Sequence, residues 1–158
     1  MVGGKPDEID LRILALLQKN GRIDIQQLSG MVNLSRTPVQ ARIDKLEDAG
    51  VIKGYTALLD REKAGCPTLV ITHIKLEKQT TELLEEFERA VSGMQEIQFC
   101  LHVSGTWNFI LHVTASSPQA YFKFLMEQIS SINNVAHIDS CFVMKESKAN
   151  GPIALFPG

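Results

Sequence analysis

The chain has little cysteine. Cys66, Cys100 and Cys141 are odd in number and widely spaced. That excludes a disulfide framework and a closely spaced zinc signature, and it suits a reducing cytosol. An excess of either charge is also missing: 16 Lys and Arg stand against 18 Asp and Glu, a net of -2. A broad polybasic surface is therefore excluded, and any contact with nucleic acid must be local. No apolar run is long enough to span a membrane, and Met1 to Pro6 lacks the apolar core of a signal peptide. A cytoplasmic protein without a membrane partner is expected. No P-loop, dinucleotide fingerprint or nucleophile–base pair is found, and no cofactor is expected. What remains, at 158 residues with 44% apolar and 22% charged, is a soluble globular composition sized for one domain or two small ones.

The most informative stretch is Asn33 to Gly50. Val39, Ile43 and Leu46 fall on one stripe at helical spacing and form its buried face. Arg36, Gln40, Arg42 and Lys45 lie off that stripe. Thr37 and Gln40 read as a capping box around Pro38, with Ser35 a competing N-cap two residues earlier. Gly50 stops the helix. Before it, Asp24 caps a short helix with Leu28 and Val32 inward, and Asn33 suits the left-handed turn between the two. Earlier still, Ile9, Ile13, Leu16 and Leu17 share one face of a helix from Asp7 to Asn20. Three helices ending in this turn and polar helix read as a helix-turn-helix. A short helix with donors near its N-terminus suits the major groove. Val51 to Leu59 alternates loosely around Gly54, and a small β-hairpin, or wing, is expected there.

Electrostatics weighs against this reading. Up to Asp60, eight Lys and Arg are matched by eight Asp and Glu, and Asp44 sits one helical turn from Gln40.

Beyond the connector Arg61 to Cys66 the periodicity changes. Strands are expected over Thr68–Leu76, Ile97–Val103, Asn108–Thr114 and Val135–Lys145. Helices are expected over Thr80–Val91 and over Ser117–Ile132, the second carrying Tyr121, Phe122, Leu125, Met126 and Ile129. The order β-α-β-β-α-β is that of a ferredoxin-like domain. The chain is thus α+β: a winged helix-turn-helix over 1–56, a linker over 57–66, a ferredoxin-like βαββαβ domain over 67–146 and a tail over 147–158. Ile97, Phe99, Leu101 and Val103 are read as facing the helices. Ile71, His73, Cys100, His102, Ile110 and His112 then lie on a bare, largely apolar face, which a second subunit would bury in a two-fold contact. His73, His102 and His112 have no close-spaced ligand pair, so packing is favoured over a metal there.

Over nearly its full length the chain resembles the Lrp/AsnC family of feast/famine transcription regulators. The matching stretches are Ile9-Asp10 to Gly21-Arg22, Leu34-Ser35 with Thr37-Pro38, Arg42-Ile43 with Leu46-Glu47, and Gly50 to Leu59. In the second half they are Val103-Ser104-Gly105 and Phe142 to Glu146. The resemblance implies a regulator that binds double-stranded DNA, forms dimers that assemble into tetramers or octamers, and responds to an amino acid or related metabolite. By that match Ser35, Arg36, Thr37, Pro38, Gln40, Arg42 and Lys45 meet DNA. Arg42 and Lys45 would hold phosphates, and Arg36 and Gln40 would read bases. The family's effector turn usually reads Gly-Asp-Tyr-Asp. Here it reads Gly105-Thr106-Trp107-Asn108, following Ser104, with Asp139 and Ser140 on the last strand as bordering positions. A carboxylate would hold an ammonium through a charge-assisted bond, and Thr106 and Asn108 offer only neutral ones.

Two other readings stand beside this one. Some proteins of the same architecture are haem-biosynthesis decarboxylases, and His102, His112 and His137 fit that. A co-assembly partner that no longer reads DNA would fit Asp44 and the neutral N-terminal part.

Overall fold

The computed structural model describes residues 5–149 and 151–156. The chain forms two compact units, one holding residues 5–58 with the described part of the C-terminal tail, the other residues 59–147.

In the first unit, α1 (Glu8–Lys19), α2 (Ile25–Val32) and α3 (Arg36–Asp48) close around Ile13, Leu28, Val32, Val39 and Ile43. Each boundary has a local cause. Asp7 and Asp10 form a reciprocal capping box at the start of α1. The Asp24 side chain accepts the Gln27 N–H at the start of α2, and Asn33 ends it in the left-handed region at φ 57°. Gly50, at φ 68°, closes α3. The Val51 N–H bonds to the Leu46 carbonyl and the Gly50 N–H to that of Glu47, the pair that defines a Schellman ending. In the tail, Ile153 exchanges hydrogen bonds with the side chain of Gln18.

Two local expectations fail here. The N-cap of α3 is Ser35, not Thr37, and its side chain makes no cap bond. Pro38 occupies the third helical position and has no N–H to give a capping oxygen. Gln40 bonds to Asp44, one turn ahead, instead of closing a capping box. The β-hairpin expected over Val51–Leu59 also does not form; among the described residues no strand precedes Thr68. Val51 and Ile52 spend their N–H groups on the Leu46 carbonyl, and Tyr55 folds back to donate to Glu47.

The second unit is a ferredoxin-like βαββαβ domain. Strands β1 (Thr68–Leu76), β2 (Ile97–His102), β3 (Phe109–Ala115) and β4 (Val135–Phe142) form one antiparallel sheet in the order β2-β3-β1-β4. Helices α4 (Thr81–Ser92) and α5 (Pro118–Phe124) contribute Phe87, Val91, Tyr121 and Phe124 to a core built on Val70, Ile74, Phe109, Leu111 and Val113. Phe87 stacks on Phe109 at 4.6 Å between centroids. The helix expected over Ser117–Ile132 turns π-helical at Leu125–Ile129, where the Ser130 N–H reaches back to Leu125. Of the apolar residues it carries, Tyr121 and Ile129 are buried, while Phe122 and Met126 are exposed.

Strand β2 reverses the expected facing. Ile97 pairs with Val113, but the register then shifts, and Phe99 pairs with His112 and Leu101 with Ile110. One extra residue in a strand moves everything after it to the other face. Phe99 and Leu101 therefore lie on the bare face, 57% and 53% exposed. Cys100 packs against the core instead, where burial and then Glu88 push its thiol up to about 11. His102 stands 4.9 Å from the ring of Phe109 and near Glu88 of α4.

Candidate functional site

Two places carry side chains suited to recognition. The first is the outer face of α3. Ser35, Arg36, Thr37, Pro38, Gln40 and Lys45 are all exposed along it. A shallow depression there is lined by Ile25, Arg36, Thr37, Gln40, Ala41 and Asp44. The Arg36 guanidinium donates to Gln26 Oε1 on α2 at 2.7 Å, which adds a residue of α2 to the face. Gln40 donates to Asp44 at 2.7 Å, which holds the two side chains together on this face and leaves the carboxylate's negative charge there. Lys45 extends from the last turn of the helix.

Arg42 does something else. Its Nη1 lies 2.6 Å from both Asp7 Oδ2 and Asp10 Oδ1, and Asp10 is buried. A guanidinium held by two carboxylates is already neutralised, so Arg42 ties α3 to the start of α1. The Asp10 backbone N–H, followed by Arg42, holds the Asp7 carboxyl below its ordinary value, and the two carboxylates raise Arg42 in return. Sequence spacing does not show this contact, because Asp10 and Arg42 meet only after α1 and α3 pack.

The second place is the turn from Ser104 to Asn108, between β2 and β3. Gly105 takes φ 116°, a conformation L side chains rarely adopt. Ser104, Gly105 and Thr106 are exposed. Asn108 is buried and fastens the turn to β1: its N–H donates to the Ile74 carbonyl and its Oδ1 accepts the Leu76 N–H at 2.8 Å. That bond falls where the β1–β4 register shifts, between Lys75 and Leu76. An aspartate could accept the same N–H, so replacing Asp by Asn keeps this anchor while losing the charge. Trp107 lies 5.5 Å from His73 and stacks on His137 at 5.6 Å.

The last strand divides its two candidates. Asp139 pairs with His73 on the bare face, on the same side as Trp107. Ser140 points to the helices and bonds to Tyr121, whose hydroxyl also meets Thr72 at 2.8 Å. The structure thus brings Asp139 toward the turn and leaves Ser140 on the opposite face. His73 and His137 both lie against Trp107, but His102 and His112 diverge. His102 faces α4, while His112 on the bare face bonds to Gln98 and has its pKa lowered by burial.

Two family models match the chain: one for winged helix-turn-helix DNA binding over residues 6–53, and one for the Lrp/AsnC ligand binding domain over residues 69–153. The proline dehydrogenase transcriptional activator of Rhizobium radiobacter is 36% identical over 145 residues, covering 92% of this chain and 93% of that protein. The leucine-responsive regulatory protein of Escherichia coli K12 is 37% identical over 149 residues, covering 94% and 91%. A transcriptional regulator from Neisseria meningitidis, solved as a complex with L-Met, matches with a TM-score of 0.88 at 29% identity, covering 94% of this chain and 96% of that one.

Proposed function

The chain belongs to the Lrp/AsnC family of DNA-binding transcription regulators, and from that premise we propose that it binds a roughly palindromic operator as a dimer whose further assembly is gated by an amino acid or related metabolite. The observation that carries the DNA half is the exposed face of α3, from Ser35 to Lys45, set at an angle to α2 by the left-handed Asn33. Arg36 and Gln40 reach base edges, Ser35, Thr37 and the backbone around Pro38 meet the backbone of DNA, and Lys45 holds a phosphate. Arg42 supports this surface from behind through Asp7 and Asp10. The small net charge of the unit, nine Lys and Arg against seven Asp and Glu, favours a modest number of phosphate contacts over strong nonspecific binding. Selection of bound fragments from genomic DNA tests this reading. Recovery of one motif with half-sites about one helical turn apart, or a multiple of that, is the expected result, and recovery of random fragments overturns it.

The bare sheet face supports the dimer. Ile71, Phe99, Leu101, Ile110 and His112 present apolar and aromatic surface with no cover from this chain's helices. The same face on a second copy is the natural complement. The effector is placed at Ser104 to Asn108, where an exposed turn needs a second subunit to enclose a small molecule. Dimers would then meet around the ligand, ligand binding would shift the assembly, and assembly would shift affinity in return. With Thr106 and Asn108 in place of two carboxylates, ordinary zwitterionic amino acids bind weakly. Calorimetry against the amino acids, with sedimentation in parallel, tests the site. Tight binding of leucine that Thr106→Arg leaves unchanged would place the effector elsewhere.

A further inference from the structure

Where β1 pairs with β4, the bare face of the sheet carries a feature beyond the DNA and effector readings, though Asp139 also borders the sensor turn. His73 on β1 and Asp139 on β4 are direct partners in the antiparallel register, and Cys141 follows two residues later on the same side. The three are far apart in sequence, and only the strand register unites them. His73 Nδ1 lies 3.7 Å from Asp139 Oδ2, and Cys141 Sγ lies 3.9 Å from the same oxygen. All three candidate donor atoms fall within 4.8 Å of one another.

His73 Nδ1 is buried and has no hydrogen-bond partner. At 3.7 Å the neighbouring carboxylate is too far to take or give a proton directly. A ring nitrogen removed from water and left unpaired is unfavourable, and such atoms call for an explanation. A lone pair aimed at a cation is one. The spacing fits this as well. In a tetrahedral zinc site, bonds of about 2.0–2.3 Å set neighbouring donors about 3.3–3.6 Å apart. Shifts of a few tenths of an ångström to about one ångström would bring the three groups to that geometry. Imidazole, thiolate and carboxylate together favour a borderline divalent ion over magnesium or calcium, which prefer oxygen alone.

We propose that His73, Asp139 and Cys141 bind a zinc-class divalent transition-metal ion on the bare face of the sheet. Three protein donors leave the fourth position to water or an added donor. Binding displaces the Cys141 thiol proton to solvent. Trp107, against His73, shields one side of the imidazole from water. The metal clips edge strand β4 to β1 beside the sensor turn, and it stabilises the folded chain by mass action.

The test uses the full chain, reduced and stripped of metal, with cobalt(II) as a spectroscopic probe and neither DNA nor amino acid present. Its failure is therefore separate from failure of the regulatory reading. One cobalt per chain is expected, with visible bands of a four-coordinate ion and a near-ultraviolet thiolate-to-metal band, all displaced by zinc. Cys141→Ser, at an exposed position, should remove the thiolate band. His73→Gln and Asp139→Asn should each weaken binding about tenfold or more. Cys66→Ser and Cys100→Ser should keep the band. Absence of stoichiometric binding, a thiolate band that survives Cys141→Ser, or affinity unchanged in both His73→Gln and Asp139→Asn would overturn the site.

Discussion

Among single residues, Arg42 has the largest claim on the first unit. Deleting its guanidinium strands Asp10, a buried carboxylate, without its counter-charge. We expect Arg42→Ala to cost about 1–2 kcal/mol, discounted for the partial exposure of the pair. Thermal unfolding followed by circular dichroism measures this. DNA affinity should fall with it, but the slope of affinity against salt should stay as it was. Lys45→Ala should do the reverse, leaving stability unchanged and lowering that slope by about one, as for a lost phosphate contact. Gel shifts at several salt concentrations separate the two, and a reduced slope in Arg42→Ala would return that residue to the DNA surface. Asp7 adds a pH dependence. Its folded pKa is lowered, first by the Asp10 N–H and then by Arg42, from an ordinary 3.8. Its contribution is therefore complete above that value and is lost as the pH falls through the lowered one. Asp7→Asn should flatten the acid limb of the stability curve below about pH 4. An unchanged limb would show that the pairing is not maintained in solution.

Strand β2 is the element whose geometry most changes the surface. Without its register shift, Cys100 and His102 would face outward and the proposed dimer surface would be polar at its edge. With it, Phe99 and Leu101 take those places. Leu101→Asp should leave the subunit folded, since the side chain is already half exposed in the single chain. It should weaken dimerisation about 100-fold or more, because a carboxylate would be buried unpaired between sheets. Sedimentation against concentration reads this out, and an unaltered dimer would remove Leu101 from the interface. The N-terminus of α3 is governed by Pro38 in the same local way. Lacking an N–H, it leaves Ser35 without its usual cap bond and free to meet another partner.

At the scale of the molecule, the second unit holds its own core, from Val70 to Ile129, and the whole bare face. A fragment of residues 59–147 should therefore fold and dimerise without the helix-turn-helix. Light scattering of that fragment is the measurement, and a dispersed monomer would place the dimer contact in the first unit. The haem-decarboxylase alternative finds no support in the geometry. His102 and His112 lie on opposite faces of the sheet, so they cannot share one tetrapyrrole within a subunit. The reading as a partner that no longer binds DNA keeps Asp44 as its basis, because the amide of Gln40 does not cancel that charge.

The sequence alone determined what short-range chemistry controls. Asp7, Asp24, Asn33 and Gly50 set helix ends through bonds within a few residues, and the order of β-branched and helical runs yielded the βαββαβ topology. The left-handed turn and the outer face of α3 were legible for the same reason. Tertiary structure decided what depends on distant groups meeting. Arg42 meets Asp7 and Asp10 only once α1 and α3 pack. Period-two alternation assigns faces to β2 only while its pairing is regular, and one unpaired residue at Gln98 inverts the rest. Ser140 and Asp139 are neighbours in sequence yet fall on opposite faces of β4. His73, Asp139 and Cys141 come together only because β1 and β4 pair in one particular register, which no local pattern along either strand specifies.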